Sequence, residues 1–96
     1  MAKTEEILEE RGARYGSFKN KSKIAQEIKK SMQSGPSYKG MSDDKKQAME
    51  MFANKIARIV NGDPDYDDSW QDICGYSQLI INDLHEQENT LIHMEQ

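Results

Sequence analysis

Helical periodicity, interrupted at a few Gly and Pro residues, is the feature that most constrains the fold of this 96-residue chain. Apolar residues recur every three or four positions in four segments, and no segment alternates polar and apolar residues over the length of a strand. The breaks at residues 34–37 and 61–64 combine Gly and Pro with small polar residues. The sequence therefore predicts an all-α protein, a single compact helical domain of about four helices over residues 1–96.

Capping residues set the predicted helix boundaries. The first helix begins at Thr4 and ends before Gly12, and a loop at residues 12–18 separates it from the second. The helices cover, in order, residues 4–11, about 20–32, 43–61 and 68 to about 88. The apolar stripe predicted for the third helix consists of Ala48, Met49, Phe52, Ile56, Ile59 and Val60. Residues 1–3 and about 89–96 either fray or take part in oligomer contacts.

The chain has few residues with which to build a core. Leu, Ile, Val and Phe together number 16 of 96, below the ~20% of an ordinary globular domain, so a homo-oligomer is expected. No run approaches the ~18 apolar residues of a membrane span, and the first eleven residues lack the apolar stretch of a signal peptide. Cys74 is the only cysteine, which excludes a disulfide framework. We therefore expect a cytoplasmic protein without a membrane partner.

Charge is distributed unevenly along the chain. Residues 1–40 carry a balance of +4, whereas residues 41–96 carry −8. A basic stretch attracts phosphate-bearing partners, and an acidic half either holds Mg²⁺ or meets a basic protein. Solvated helix faces with internal ion pairs explain the same pattern. The pI near 5.1 argues against general nucleic-acid binding.

Three acids on the third and fourth helices are candidate metal ligands. Asp68 and Asp72 are four residues apart on one helix face, and Glu50 lies on the preceding helix. Antiparallel packing of the two helices would allow their carboxylates to share a Mg²⁺ ion, which prefers a few carboxylates together with phosphate oxygens. Helix capping by Asp68 and surface solvation are the alternatives.

Cations and aromatic residues form two candidate ligand-binding groups. Lys55 and Arg58 lie three apart in the apolar third helix, where they either extend from the edge of the core, pair with Asp72 or bind a phosphate. Arg11, Arg14 and Tyr15 belong to a glycine-containing stretch suited to phosphate and base contacts. A tight turn with Tyr15 packed inward is the alternative.

Several motifs resemble those of a small, uncharacterised family of phage and prophage proteins. The matching segments are residues 7–18, 48–51, 54–59, 61–64, 68–73 and 75–76. Histidine is usual in that family at the positions of Lys21 and Asn54, and this departure implies binding without catalysis. Trp70 and Tyr76 lie within these motifs and are further candidate ligand-binding residues.

The paired helices and the Ser-Trp-Gln-Asp turn also resemble a reduced form of the MazG-like nucleoside triphosphate pyrophosphohydrolases. Those all-α enzymes bind Mg²⁺ through acids spaced i,i+3 on two helices. Asp72 matches the last acid of the pattern, but Ser69 stands where its i,i+3 partner is expected, and Glu50 is the acid available on the earlier helix. The resemblance implies a Mg²⁺-dependent site at Glu50, Asp68 and Asp72.

Two functions are consistent with these patterns. The first is a phage-type accessory protein that binds a nucleotide or another phosphate-bearing small molecule in the cytoplasm of a bacterial host, with pyrophosphohydrolysis as its catalytic form. The alternative is a non-enzymatic counter-defence protein that sequesters a nucleotide signal or blocks a host defence protein by direct binding.

Overall fold

The third helix is the central element of the structure and packs against the helices before and after it in the chain. The computed structural model describes residues 2–95, with side chains for residues 3–91. The elements are α1 (Ala2–Tyr15), α2 (Phe18–Gln33), a short 3-10 turn (Tyr38–Gly40), α3 (Asp43–Asn61) and α4 (Asp67–Glu95). The described backbone contains no β-strand, and the all-α expectation is confirmed.

Side-chain caps fix the N-termini of α2 and α3. The hydroxyl of Ser17 accepts a hydrogen bond from the backbone N–H of Asn20 at 3.2 Å, and Ser42 accepts one from Lys45 at 3.4 Å. Each bond satisfies a backbone donor that has no partner within the helix. Asp43 and Asp44 follow Ser42 in the first turn of α3, where their negative charges complement the positive end of the helix.

The first helix is longer than predicted. It continues through Gly12 to Tyr15, and Gly16, not Gly12, ends it in the left-handed conformation with φ of 75°. Glycine inside a helix costs about 1 kcal/mol relative to alanine, which the remaining hydrogen bonds of the helix tolerate. A positive φ, in contrast, stops a helix, so the position of Gly16 decides the boundary.

Small side chains dominate the core. The buried apolar residues are Ala25, Ala48, Ala53, Ala57 and Ile59. The predicted stripe on α3 is therefore correct for Ala48 and Ile59 but wrong for Ile56 and Val60, which are 40% and 65% exposed. Because α3 packs against both α2 and α4, its alanines permit close helix approach on more than one side.

The prediction that the two ends of the chain fray or take part in oligomer contacts falls partly on residues that the structure does not describe. Met1 and Gln96, together with the side chains of Ala2 and residues 92–95, lie outside the described residues. The backbone of α4 is helical as far as Glu95, beyond the point at which the apolar pattern weakens. None of the described helices combines the length and apolarity that crossing a membrane requires.

Candidate functional site

Side-chain hydrogen bonds connect the joint between α1 and α2 to the end of α3. The side-chain amide of Asn61, at the end of α3, donates hydrogen bonds to the carbonyl oxygens of Tyr15 at 2.8 Å and Ser17 at 3.0 Å. The amide of Asn20 in turn donates to the Asn61 side-chain oxygen. One asparagine therefore links the C-terminal end of α3 to both helices at the joint.

Two glycines allow this close approach. A Cβ at Gly16 would overlap the carbonyl oxygen of Asn61, and a Cβ at Gly62 would overlap the carbonyl oxygen of Arg14. The backbone N–H of Asp63 also donates to that Arg14 oxygen at 2.7 Å. The two segments lie more than forty residues apart in sequence, and each belongs to one of the recognised motifs. Their contact fixes the geometry of the neighbouring surface.

A cavity of about 380 Å³ opens beside this joint, where the end of α1, the start of α2 and the C-terminal part of α3 meet. Its polar lining is cationic, with side chains of Arg11, Lys21 and Arg58, and its aromatic lining consists of Tyr15 and Phe18. We refer to this space as the basic cavity.

The cations of the basic cavity contact aromatic rings. The guanidinium of Arg58 lies 4.7 Å from the centre of the Tyr15 ring, and the ammonium of Lys21 lies 4.8 Å from the centre of the Phe18 ring. Such contacts stabilise a cation without neutralising it. The Nε of Arg58 is buried, and no described residue accepts a hydrogen bond from it.

Positive charge accumulates in this cavity. Burial lowers the pKa of Lys21, and the neighbouring charges of Arg58, Lys29, Lys55 and Arg11 lower it further. Within the described part of the chain, no carboxylate lies at ion-pair distance from Arg11, Lys21 or Arg58. An anion bound here would supply the missing negative charge.

Arg14 lies outside the cavity, although the sequence groups it with Arg11. Its guanidinium lies 4.2 Å from the centre of the Tyr66 ring and forms an ion pair with Glu10 at 3.3 Å. Tyr66 donates a hydrogen bond to Asp68 at 2.7 Å, and this bond is the main reason that the pKa of the Tyr66 phenol is raised. The Tyr66 and Tyr15 rings lie 6.2 Å apart, so Arg14 belongs to a structural cluster beside the joint.

Lys55 forms an ion pair, which was one of its three predicted roles. Its ammonium lies 2.8 Å from a carboxylate oxygen of Asp72 and is 10% exposed as a side chain. The pair joins α3 to α4. It engages both Lys55, a predicted phosphate-binding cation, and Asp72, a predicted metal ligand. Lys55 does not line the basic cavity.

The three predicted magnesium ligands are not gathered into one site. Among the described side chains, no group of three or more His, Cys, Asp or Glu residues is arranged to hold a metal ion. Asp68 accepts the hydrogen bond from Tyr66, Asp72 pairs with Lys55, and Glu50 lies partly buried on α3.

Trp70 and Tyr76 also lie away from the basic cavity. The indole N–H of Trp70 donates to the carbonyl oxygen of Pro64 at 2.9 Å, so the ring closes the α3–α4 connection. Tyr76 borders a different surface pocket, which Asp43 and Asp83 also line. Of the seven predicted ligand-binding residues, the basic cavity contains Arg11, Tyr15 and Arg58.

Lys21 and Phe18 are functional candidates that sequence reasoning did not select. Lys21 stands in the basic stretch of residues 11–39, and the resemblance stated in the sequence analysis implies histidine at its position. The signal was therefore present, but nothing local in the sequence distinguishes Lys21 from the five other lysines of that stretch. Its selection depends on the fold of the joint, which brings it beside Arg58.

Comparison with known proteins identifies a family but no characterised relative. No curated protein and no solved structure matches the chain. A family model described as a domain of unknown function, DUF6378, matches residues 1–83. This match includes the joint, every residue of the basic cavity and the Lys55–Asp72 pair. The chain therefore belongs to the DUF6378 family.

Proposed function

We propose that this protein binds a phosphate-bearing small molecule, most specifically a nucleotide, in the basic cavity. The observation that carries the proposal is a group of three cations beside two aromatic rings, with no carboxylate of the described residues paired to them. Guanidinium groups form paired hydrogen bonds with phosphate oxygens, and two of the three cations that line the cavity, Arg11 and Arg58, are arginines.

The aromatic lining favours a nucleotide over inorganic phosphate. Arg58 covers part of the Tyr15 ring and Lys21 lies over the Phe18 ring, but Phe18 is 77% exposed and keeps ring surface on which a base can stack. The cavity volume of about 380 Å³ lies within the ~300–1,000 Å³ range of small-molecule sites. A ligand with an anionic end and a planar end would satisfy both parts of the lining.

The side-chain contacts favour stoichiometric capture of the nucleotide over its hydrolysis. Asp72, the acid on which the hydrolytic alternative depends, is held by Lys55 on the α3–α4 interface. The resemblance to phage and prophage proteins supports a role as an accessory protein in the cytoplasm of a bacterial host. There the protein would act against host defence by sequestering a nucleotide signal.

Native mass spectrometry tests this proposal directly. The protein is sprayed alone and with AMP, ATP, cyclic AMP or inorganic pyrophosphate, each with and without Mg²⁺. A stable adduct of unchanged ligand mass is expected for at least one nucleotide. An adduct that loses pyrophosphate in the presence of Mg²⁺ would instead support the pyrophosphohydrolase hypothesis. Glu50, Asp68 and Asp72 would then be the residues to substitute.

The absence of any adduct in this panel would contradict nucleotide binding. The alternative function, direct blocking of a host defence protein, would then become the hypothesis to test. A matched variant, Arg58→Gln, is expected to reduce the fraction of adduct, because it removes a cavity cation while retaining a side chain of similar length. Arg14→Gln removes the same charge outside the cavity and serves as its control.

A further inference from the structure

The second half of α4 carries an apolar stripe that continues beyond the helix bundle. Ser77 and Ile80 border a groove with Ala48 and Phe52 of α3. Leu84 lies seven residues after Ser77 and therefore falls on almost the same side of the helix. Leu91 follows after another seven residues. The stripe that faces α3 thus extends along α4 toward its C-terminal end.

The helix α3 stops before this stripe does. Asp43, the first residue of α3, borders the same surface pocket as Asp83 of α4. From residue 84 to Glu95, α4 continues for about 18 Å at the helical rise of ~1.5 Å per residue. Leu84 is 42% exposed and Leu91 is 62% exposed. Two large apolar side chains are therefore only partly covered by the described part of the chain.

The exposed surface area of the chain indicates how much surface a partner would cover. The chain exposes 7396 Å², whereas a compact monomer of 11.0 kDa exposes about 5,600 Å². Its extents of 63 × 27 × 25 Å agree with this excess. The difference of about 1,800 Å² lies within the ~1,000–2,500 Å² that each chain of an obligate homodimer buries.

We propose that a second copy of this chain covers the stripe, and that the two α4 helices pair antiparallel about a twofold axis near residues 87 and 88. Leu84 of each copy then packs against Leu91 of the other, as an isologous interface requires. A membrane is a poorer occupant, since Glu86 and Glu88 on this segment are repelled by anionic lipid surfaces. The proposal is independent of ligand binding in the basic cavity.

Light scattering after size-exclusion chromatography measures the assembly. The expected mass is about 22 kDa, twice the 11.0 kDa of one chain. Leu91→Glu is expected to return the mass to that of one chain. Val60→Glu is the matched control, because Val60 is 65% exposed but lies on α3, and it should remain dimeric. A wild-type mass of one chain at every concentration up to the millimolar range would overturn the proposal and direct the search to another protein partner.

Crosslinking tests the pairing without destabilising the fold. In a Cys74→Ser background, Gln87→Cys places a thiol near the proposed twofold axis, and a short bismaleimide should join two chains. Asn89→Cys lies two residues further on, about 200° around the helix, and should not crosslink. Equal crosslinking of both variants, or none by Gln87→Cys, would overturn the antiparallel α4 arrangement even if the protein is dimeric.

Discussion

The glycines at positions 12, 16 and 62 belong to the recognised motifs but have different structural roles. Gly16 adopts a positive φ and touches Asn61, and Gly62 lies against the end of α1. Gly12 is helical, and a Cβ there would meet no atom within 4 Å. Packing at the joint therefore requires glycine at positions 16 and 62, but not at position 12.

Alanine substitutions separate these roles. Gly16→Ala is expected to lower the free energy of unfolding by about 1–3 kcal/mol, because it combines a strained φ with overlap at Asn61. Gly12→Ala should raise it by up to about 1 kcal/mol through improved helix propensity. Urea denaturation of both variants measures the difference. A stabilised Gly16→Ala variant would contradict the described joint.

The lowered pKa of Lys21 predicts that its charge destabilises the folded state to an extent that depends on pH. The folded chain releases this proton at lower pH than the unfolded chain, so the contribution of Lys21 to stability rises as pH increases through its lowered pKa toward its ordinary value. Below the lowered pKa both states carry the charge, and the folded state bears the cost of burying it together with the repulsion from Arg58 and the other cations. Lys21→Met is therefore expected to be more stable than wild type at pH 7.

Denaturation at neutral and alkaline pH tests whether the charge of Lys21 destabilises the folded state. The advantage of Lys21→Met over wild type should shrink as pH rises toward 10. Lys23→Met, on an exposed face of α2, should change stability by less than about 0.5 kcal/mol. A Lys21→Met variant that is less stable than wild type at pH 7 would show that the charge stabilises the cavity.

At the scale of elements, the Lys55–Asp72 pair connects α3 to α4. Asp72→Asn would leave a buried ammonium without its countercharge, and we expect a loss of about 1–3 kcal/mol. The value belongs at the lower end of that range, since the Asp72 side chain is 48% exposed. Thermal denaturation measures the loss, and Asp65→Asn, in the exposed connection before α4, is the control.

A double variant distinguishes the ion pair from a general role of Asp72. Adding Lys55→Met to Asp72→Asn removes the unpaired charge and should recover most of the lost stability. If Asp72→Asn alone has no effect on stability, the pair does not hold the two helices together. The carboxylate would then be available for the metal-binding role that the MazG-like resemblance implies.

The sequence predicted the elements better than it predicted their contacts. Capping by Ser42 and the break at Asn61-Gly62 are local signals, and both α3 boundaries agree with the structure. The end of α1 was wrong because two glycines competed, and only the contact with Asn61 distinguishes Gly16 from Gly12. Helical periodicity alone likewise did not indicate that α3 packs on two sides, so its buried alanines at positions 53 and 57 were missed.

The candidate site was predicted in part for the same reason. Arg11 and Tyr15 were selected because they are adjacent to glycines, and Arg58 because a cation interrupts an apolar helix. Lys21 joins them through a contact between segments that are distant in sequence, which no local pattern reports. Arg14 was assigned to the site from its proximity to Arg11, but its guanidinium lies over the Tyr66 ring.

At the scale of the whole molecule, positive charge is concentrated locally at the basic cavity. The cavity gathers cations from α1, α2 and α3, whereas Asp43, Asp44 and Asp83 lie around a separate pocket at the other end of α3. A phosphate ligand is therefore attracted to the cavity. Because the attraction acts partly through exposed charge, ligand affinity is expected to fall as salt increases.

Calorimetric titration of ATP into wild-type protein and two arginine variants measures whether the basic cavity binds a nucleotide. Arg11→Gln should weaken binding at least tenfold, or about 1.4 kcal/mol, because it removes an exposed cation of the cavity without disturbing the core. Arg14→Gln should leave the affinity within about twofold of wild type, since Arg14 pairs with Glu10 outside the cavity. Equal losses in both variants, or no binding by the wild-type protein, would contradict the assignment of the basic cavity as a nucleotide site.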